Sequence, residues 1–164
     1  MSLFKPETIQ AEKSFNTINP FAANLYNATV TEANVVEVDE TDWSMGHPIK
    51  NPDVKVDNVQ VVMSIDSTVD GTPVIGMDGK DPTFNTLSFW FNPTATGISK
   101  KGPSKARSFL CMIMGWDIKE KINLAVLEDL IVNKKLVGKP VRLTVEVNEN
   151  GKNKIANFLP AKKV

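Results

Sequence analysis

Between Pro140 and Pro160 a cleanly alternating apolar/polar run is followed by Asn150-Gly151 and a second run that ends at a proline. Val141, Leu143, Val145 and Val147 fall on one side; Arg142, Thr144 and Glu146 fall on the other. Successive strand side chains point to opposite faces, so this period predicts a half-buried strand. Asn-Gly is the strongest short hairpin signal, because both central residues of a type I′ turn need positive φ. The return strand is then Lys152 to Leu159, stopped by Pro160. This hairpin commits the chain to an antiparallel sheet, and the rest of the sequence supplies the partners.

Three further strands precede it. Tyr26 to Thr31 alternates and continues through Val35, Val36 and Val38, with a bulge expected near Ala33-Asn34. Residues 40–53 hold Trp43, Gly46, His47, Pro48 and Pro52, which is loop chemistry. Val59, Val61, Met63 and Ile65 then face one way in a second strand, opposite Gln60, Val62, Ser64 and Asp66. Asp70-Gly71 and Asp78-Gly79 bracket Val74-Ile75, a small hairpin or wide loop. The third strand is Thr86 to Asn92, stopped by Pro93.

The period then lengthens. Ser104 is a helix N-cap, and Ala106, Phe109, Leu110, Ile113 and Met114 follow at helical spacing up to Gly115. A second helical piece runs from Asn123 to Asn133, with Leu124, Leu127, Leu130 and Ile131 inward. The order is therefore three strands, a helical insertion and two strands. It predicts a mainly β fold: a five-stranded OB-fold-like antiparallel barrel with helices between strands three and four. A half-open sheet packed by helices is the alternative that the same order allows. Residues 1–24 have no sustained period and read as an N-terminal arm; residues 25–164 read as a single domain.

Several functions are disfavoured by what is missing. The one cysteine, Cys111, excludes an intramolecular disulfide or a cysteine-based zinc site, and it falls within a helical apolar run where a small buried residue is expected. The one histidine, His47, stands in the Pro/Gly loop without ligand spacing. Glu37, Asp39, Glu40 and Asp42 lack the spacing and glycine of a calcium loop. No phosphate loop, dinucleotide fingerprint or His-Glu-x-x-His occurs. The expectation is a non-enzymatic protein without metal or cofactor. No apolar run approaches a membrane span and no signal-peptide pattern opens the chain, so a cytoplasmic protein is expected.

A formal net charge of zero argues at first against a nucleic-acid partner. The charge is segregated, however. Residues 1–98 carry five basic and 13 acidic residues, net −8, while residues 99–164 carry 14 basic and six acidic, net +8. A local basic field on part of the surface is the consequence.

The third strand adds an aromatic to that field. Its parity puts Leu87, Phe89 and Phe91 inward and Ser88, Trp90 and Asn92 outward. An outward Trp on a sheet is a base-stacking platform; the other reading packs Trp90 under the arm or a helix. Lys100, Lys101, Lys105 and Arg107 follow within eight residues, four cations that a mobile loop would offer to phosphates. Lys105 and Arg107 also read as ordinary first-turn helix residues, although cations there oppose the helix dipole. Arg142 projects from the outer face of the fourth strand, and Lys152 and Lys154 flank the Asn-Gly turn.

The helical segment, Leu136-Val137-Gly138-Lys139-Pro140-Val141, the Asn-Gly-Lys hairpin and the stretch Asn153 to Pro160 resemble phage-encoded single-stranded DNA-binding proteins of the OB-fold class. Leu25 to Val38 is more weakly similar to the first barrel strand of that group. The resemblance covers about half the chain. It implies a protein that coats single strands during phage replication and recombination, using aromatic stacking and a basic groove. Single-stranded DNA, replication or recombination proteins and a homo-oligomer are the partners it implies. The sequence departs from the group at Ala161-Lys162-Lys163-Val164, which is basic where many such proteins carry an acidic recruiting tail. Strand parity and charge select Trp90, Lys100, Lys101, Lys105, Arg107, Arg142, Lys152 and Lys154 as the nucleic-acid-binding residues. The contrasting expectation is a virion structural or assembly protein using the same β-barrel as a protein–protein module.

Overall fold

The computed structural model describes residues 18–41 and 49–161, and the side chains of residues 18–38 and 56–161. The expected arm up to Thr17, His47, and the side chains of Asp39, Glu40 and Asp42 lie outside this description.

The fold is mainly β, with one five-stranded antiparallel sheet, a two-stranded hairpin and two short helices. In chain order the elements are β1 (Asn24–Thr41), β2 (Ile49–Thr68), β3 (Thr86–Phe91), β4 (Ile98–Ser99), β5 (Gly102–Pro103), α1 (Lys105–Met114), α2 (Leu124–Val132), β6 (Pro140–Val147) and β7 (Asn153–Leu159). The main sheet runs β3-β2-β1-β6-β7, and β4 pairs with β5. Every neighbouring pair is antiparallel. The two edge strands, β3 and β7, therefore point the same way.

The sheet is not closed into a barrel: no backbone ladder joins β3 to β7. It is nevertheless bent. Register shifts lie between Asn27/Ala28 and Val30/Glu32, not at the expected Ala33-Asn34, which stays in register with Val61 and Gln60. Bulges bend a strand and increase its twist. Across the gap the edges meet through side chains, with the rings of Phe89 on β3 and Phe158 on β7 4.8 Å apart at 65°. Phe109 of α1 completes the cluster at 5.7 Å from Phe89 and 4.8 Å from Phe158.

The concave face is the core. Alternation brings Tyr26, Ala28 and Val30 from β1 together with Val59, Val61 and Met63 from β2 and Val141, Leu143 and Val145 from β6. The helices cover it with Phe109, Leu110, Leu127 and Leu130. Both expected helices are present. The Ser104 hydroxyl accepts from the Arg107 amide at 3.1 Å, and Gly115 ends α1 at φ 69°. The Asn123 side chain caps α2 by accepting from the Val126 amide at 2.9 Å.

Three local expectations are corrected. β2 begins at Ile49, inside the segment read as loop, because β1 extends to Thr41 and pairs with it. Pro52 is tolerated there: the pairing passes from Asp39↔Lys55 to Glu40↔Asn51, so the proline owes no ladder bond. The β6–β7 turn is not type I′. Only Gly151 has positive φ, at 72°, and Asn148 pairs with Lys152 around a three-residue loop. Finally, the folded body begins before Leu25. Phe21 is core, its backbone bridges Gly76, and the Asn153 side chain donates to the Phe21 carbonyl at 2.8 Å and accepts from its amide at 2.9 Å.

Candidate nucleic-acid interface

The β3 parity read from sequence holds. Phe91 is buried and Leu87 and Phe89 pack on the core, while Trp90 stands on the opposite face, 40% exposed. Cross-strand partners share a face, so Trp90, Gln60 and Asn34 form one row across β3, β2 and β1. Ser88, Val62 and Glu32 form the next. The Gln60 amide donates to the Ser88 hydroxyl at 3.4 Å, linking the two rows beside the indole.

The open seam between β3 and β7 forms a groove of about 270 Å³. Phe84, Thr86 and Ser88 line one wall, Gly151 to Asn153 the other, and Ile18 and Asn19 one end. The Asn148 carboxamide oxygen accepts from the amides of Asn150 and Lys152, both at 3.0 Å, which fixes the turn presenting the Lys152 side chain. Phe84 is 57% exposed. Sequence reasoning passed over it; the available signal was a lone aromatic in the polar run Asp81-Pro82-Thr83-Phe84-Asn85 directly before a strand.

The eight residues selected from sequence do not converge on one patch. Trp90 and Lys152 sit on the seam side of the sheet. Lys100 and Lys101 occupy the two-residue turn between β4 and β5, both exposed. That segment is a tight hairpin, not the mobile loop expected: the Lys101 amide donates to the Ser99 hydroxyl at 3.2 Å, and the hydroxyl donates to the Gly102 carbonyl at 3.3 Å.

Lys105 and Lys154 lie together at the junction of α1 and β7. The Lys105 ammonium donates to the Ile155 carbonyl. Burial and the neighbouring Lys154 hold its pKa below the usual lysine value, with Glu146 opposing. Glu146 is also the residue directly opposite Lys154 on β6.

Arg107 is not available to a phosphate. It is 7% exposed, and its guanidinium donates to three backbone carbonyls: Thr96 at 2.7 Å, Ile118 at 2.8 Å and Glu120 at 2.6 Å. It ties the loop before β4 and the turn after α1 to the helix. Arg142 shares a row with Asn27 and Ser67 and donates from Nε to the Pro160 carbonyl at 2.7 Å. Gln60 in the Trp90 row and Ser67 in the Arg142 row are seven residues apart on β2. At strand rise this separates them by roughly 23 Å. Arg142 therefore does not flank the indole.

Among the described residues, no three His, Cys, Asp or Glu side chains are grouped to hold a metal ion, and no helix is long and apolar enough to cross a membrane. Comparison with protein-family models, curated proteins and solved structures gives no match to this chain.

Proposed function

We propose that this chain is a non-enzymatic single-stranded DNA-binding protein, related to the phage-encoded group it resembles, with an OB-type sheet left open at one seam. An OB barrel opened between its third and fifth strands has the order 3-2-1-4-5 with parallel edges. The sheet order here, and the shared direction of β3 and β7, support that reading. The helical insertion between the third and fourth main strands supports it too.

One observation carries the functional reading: Trp90 is exposed on the same strand face as Ser88, which lines the groove containing Phe84 and Lys152. Two exposed aromatics along one edge of the seam and a lysine on the facing edge are the parts a single strand needs. Bases stack on the π-faces, and the cation follows the backbone. Phe84 stands two residues before β3 and six before Trp90, so the two rings are at most about 20 Å apart along the chain. Ser88 and Thr86 between them offer hydroxyls rather than a fixed donor–acceptor code, so little sequence preference follows. In a phage this activity coats strands exposed in replication and recombination. The residues assigned to it are Trp90, Phe84 and Lys152, with Lys100, Lys101, Lys105 and Lys154 as outlying cations.

The test is titration with an unstructured oligonucleotide, comparing the wild type with Trp90→Ala and Lys152→Glu. Binding that both substitutions weaken supports the assignment. Binding indifferent to both refutes it.

A further inference from the structure

On the other side of the β1–β2 pair lies a surface the DNA reading does not use. The ends of β1 and β2 continue past the rest of the sheet: β6 pairs with β1 only over Asn24 to Thr29, and β3 with β2 only over Val59 to Ser64. Where this two-stranded extension meets α2, a groove of about 370 Å³ opens over the buried side chains of Val59 and Leu127. Its rim is apolar and unusually bare, with Val35 53%, Leu124 61% and Val132 68% exposed. Among the described residues, the charged side chains lining it are those of Asp57 and Glu128. An occupant that brings apolar surface and positive charge together complements both features.

The chain itself presents such a group. On the β4–β5 hairpin, Ile98 is 53% exposed beside Lys100 and Lys101 at the turn. From Asn92 to Lys105 there is no acidic residue. The hairpin is also held in place. The Ser104 amide donates to the Gly97 carbonyl at 2.9 Å, and Arg107 holds the Thr96 carbonyl. Within one molecule it does not line the groove; it folds against its own base, beside Ala95, Gly97 and Ser104.

We infer that two copies of this chain associate by seating the β4–β5 hairpin of each in the groove of the other, with Ile98 against Val35, Leu124 and Val132, and Lys100 and Lys101 against Asp57 and Glu128. Knob and groove lie at the same end of β3, since Pro93 lines the groove and Ile98 follows five residues later. With knob and groove close together, a two-fold axis lets both seats be filled in one contact, and the dimer then closes without an open chain of copies. Exposed charge pairs at its rim make the association weaken with salt. The inference does not rest on DNA binding, but it gives Lys100 and Lys101 a second role and makes them contested between dimer and strand.

The experiment is sedimentation equilibrium without nucleic acid, at low and high salt, on the full chain. The wild type is expected to approach twice its 18.1 kDa mass with rising concentration at low salt. Lys100→Glu with Lys101→Glu should weaken association at least tenfold, and Asp57→Lys with Glu128→Lys should do the same. Mixing those two variants restores complementarity at both seats and should regenerate a species of twice the mass. Far-UV circular dichroism checks that these exposed substitutions leave the fold intact. A wild type that stays monomeric at low salt, or reversed variants that associate like the wild type or stay apart when mixed, would overturn the proposal.

Discussion

The rings of Phe89 and Phe158 stand 4.8 Å apart and are where the two edges of the sheet meet. β3 and β7 exchange no ladder of backbone bonds, so this edge-to-face contact, backed by Phe109, bridges the seam on the core side. The groove with Phe84 and Lys152 lies between the same two strands, nearer their starts. The contact that keeps the edges together thus also sets the width of the candidate site.

Phe158→Ala should therefore do two things. Both rings are half-buried, so the stability loss in urea unfolding is expected at roughly 2–3 kcal/mol, below the range for a fully buried phenylalanine. Oligonucleotide affinity should fall as well, although Phe158 lies on the core side of its strand. Phe158→Leu, which keeps most of the apolar volume, should recover much of both.

Much of this architecture is legible in the residues. Period-two runs give β3 and β6 with the correct inward faces, the Asn-Gly signal gives the return strand β7, and Ser104, Gly115 and Asn123 mark the helix ends. Closure is not legible. It depends on how far the bulges near Ala28 and Thr31 bend two long strands, and bulge position does not follow from hydrophobic alternation. Charge counting fails at Arg107 for a related reason. Its partners, the carbonyls of Thr96, Ile118 and Glu120, lie 11 to 13 residues away and are brought within reach only by folding. Nor does a loop-like composition exclude a strand when a partner strand is present to pair with it, as Ile49 and Asn51 show.

Arg107→Ala should leave three carbonyls without their donor, at a cost of about 3 kcal/mol in chemical unfolding. Arg107→Lys should recover little, because one ammonium does not reproduce the planar fork that reaches all three. In DNA binding measured on the folded fraction, Arg107→Ala should change the affinity less than Lys152→Ala does.

The thiol of Cys111 is buried, and burial pushes its pKa up, with Arg107 acting in the other direction. Thiolate, the reactive form, is then scarcer than on a free cysteine at any given pH below the raised value. A disulfide reagent at mildly alkaline pH should label Cys111 many times more slowly than it labels the urea-unfolded chain. Labelling at the unfolded rate would contradict the placement of Cys111 in α1 against the core.

Arg142 and Lys152 provide an internal comparison. Both are cations near the β6–β7 hairpin in sequence, but only Lys152 lines the seam groove. Lys152→Ala should weaken oligonucleotide binding several-fold and reduce its salt dependence. Arg142→Ala, roughly 23 Å from the Trp90 row along β2, should have the smaller effect.

The most direct measurement is a fluorescence titration with an unstructured thymidine oligonucleotide, run on the wild type and Trp90→Ala at about 50 and 200 mM salt. For the wild type we predict tight binding with quenched tryptophan emission, and affinity falling steeply between the two salt concentrations. For Trp90→Ala we predict binding weaker by about 1–3 kcal/mol, the worth of one stacked base, with unchanged thermal stability. No binding by the wild type at the lower salt, or equal affinity of the two proteins, would contradict the assignment of Trp90 and the seam as the DNA-binding site.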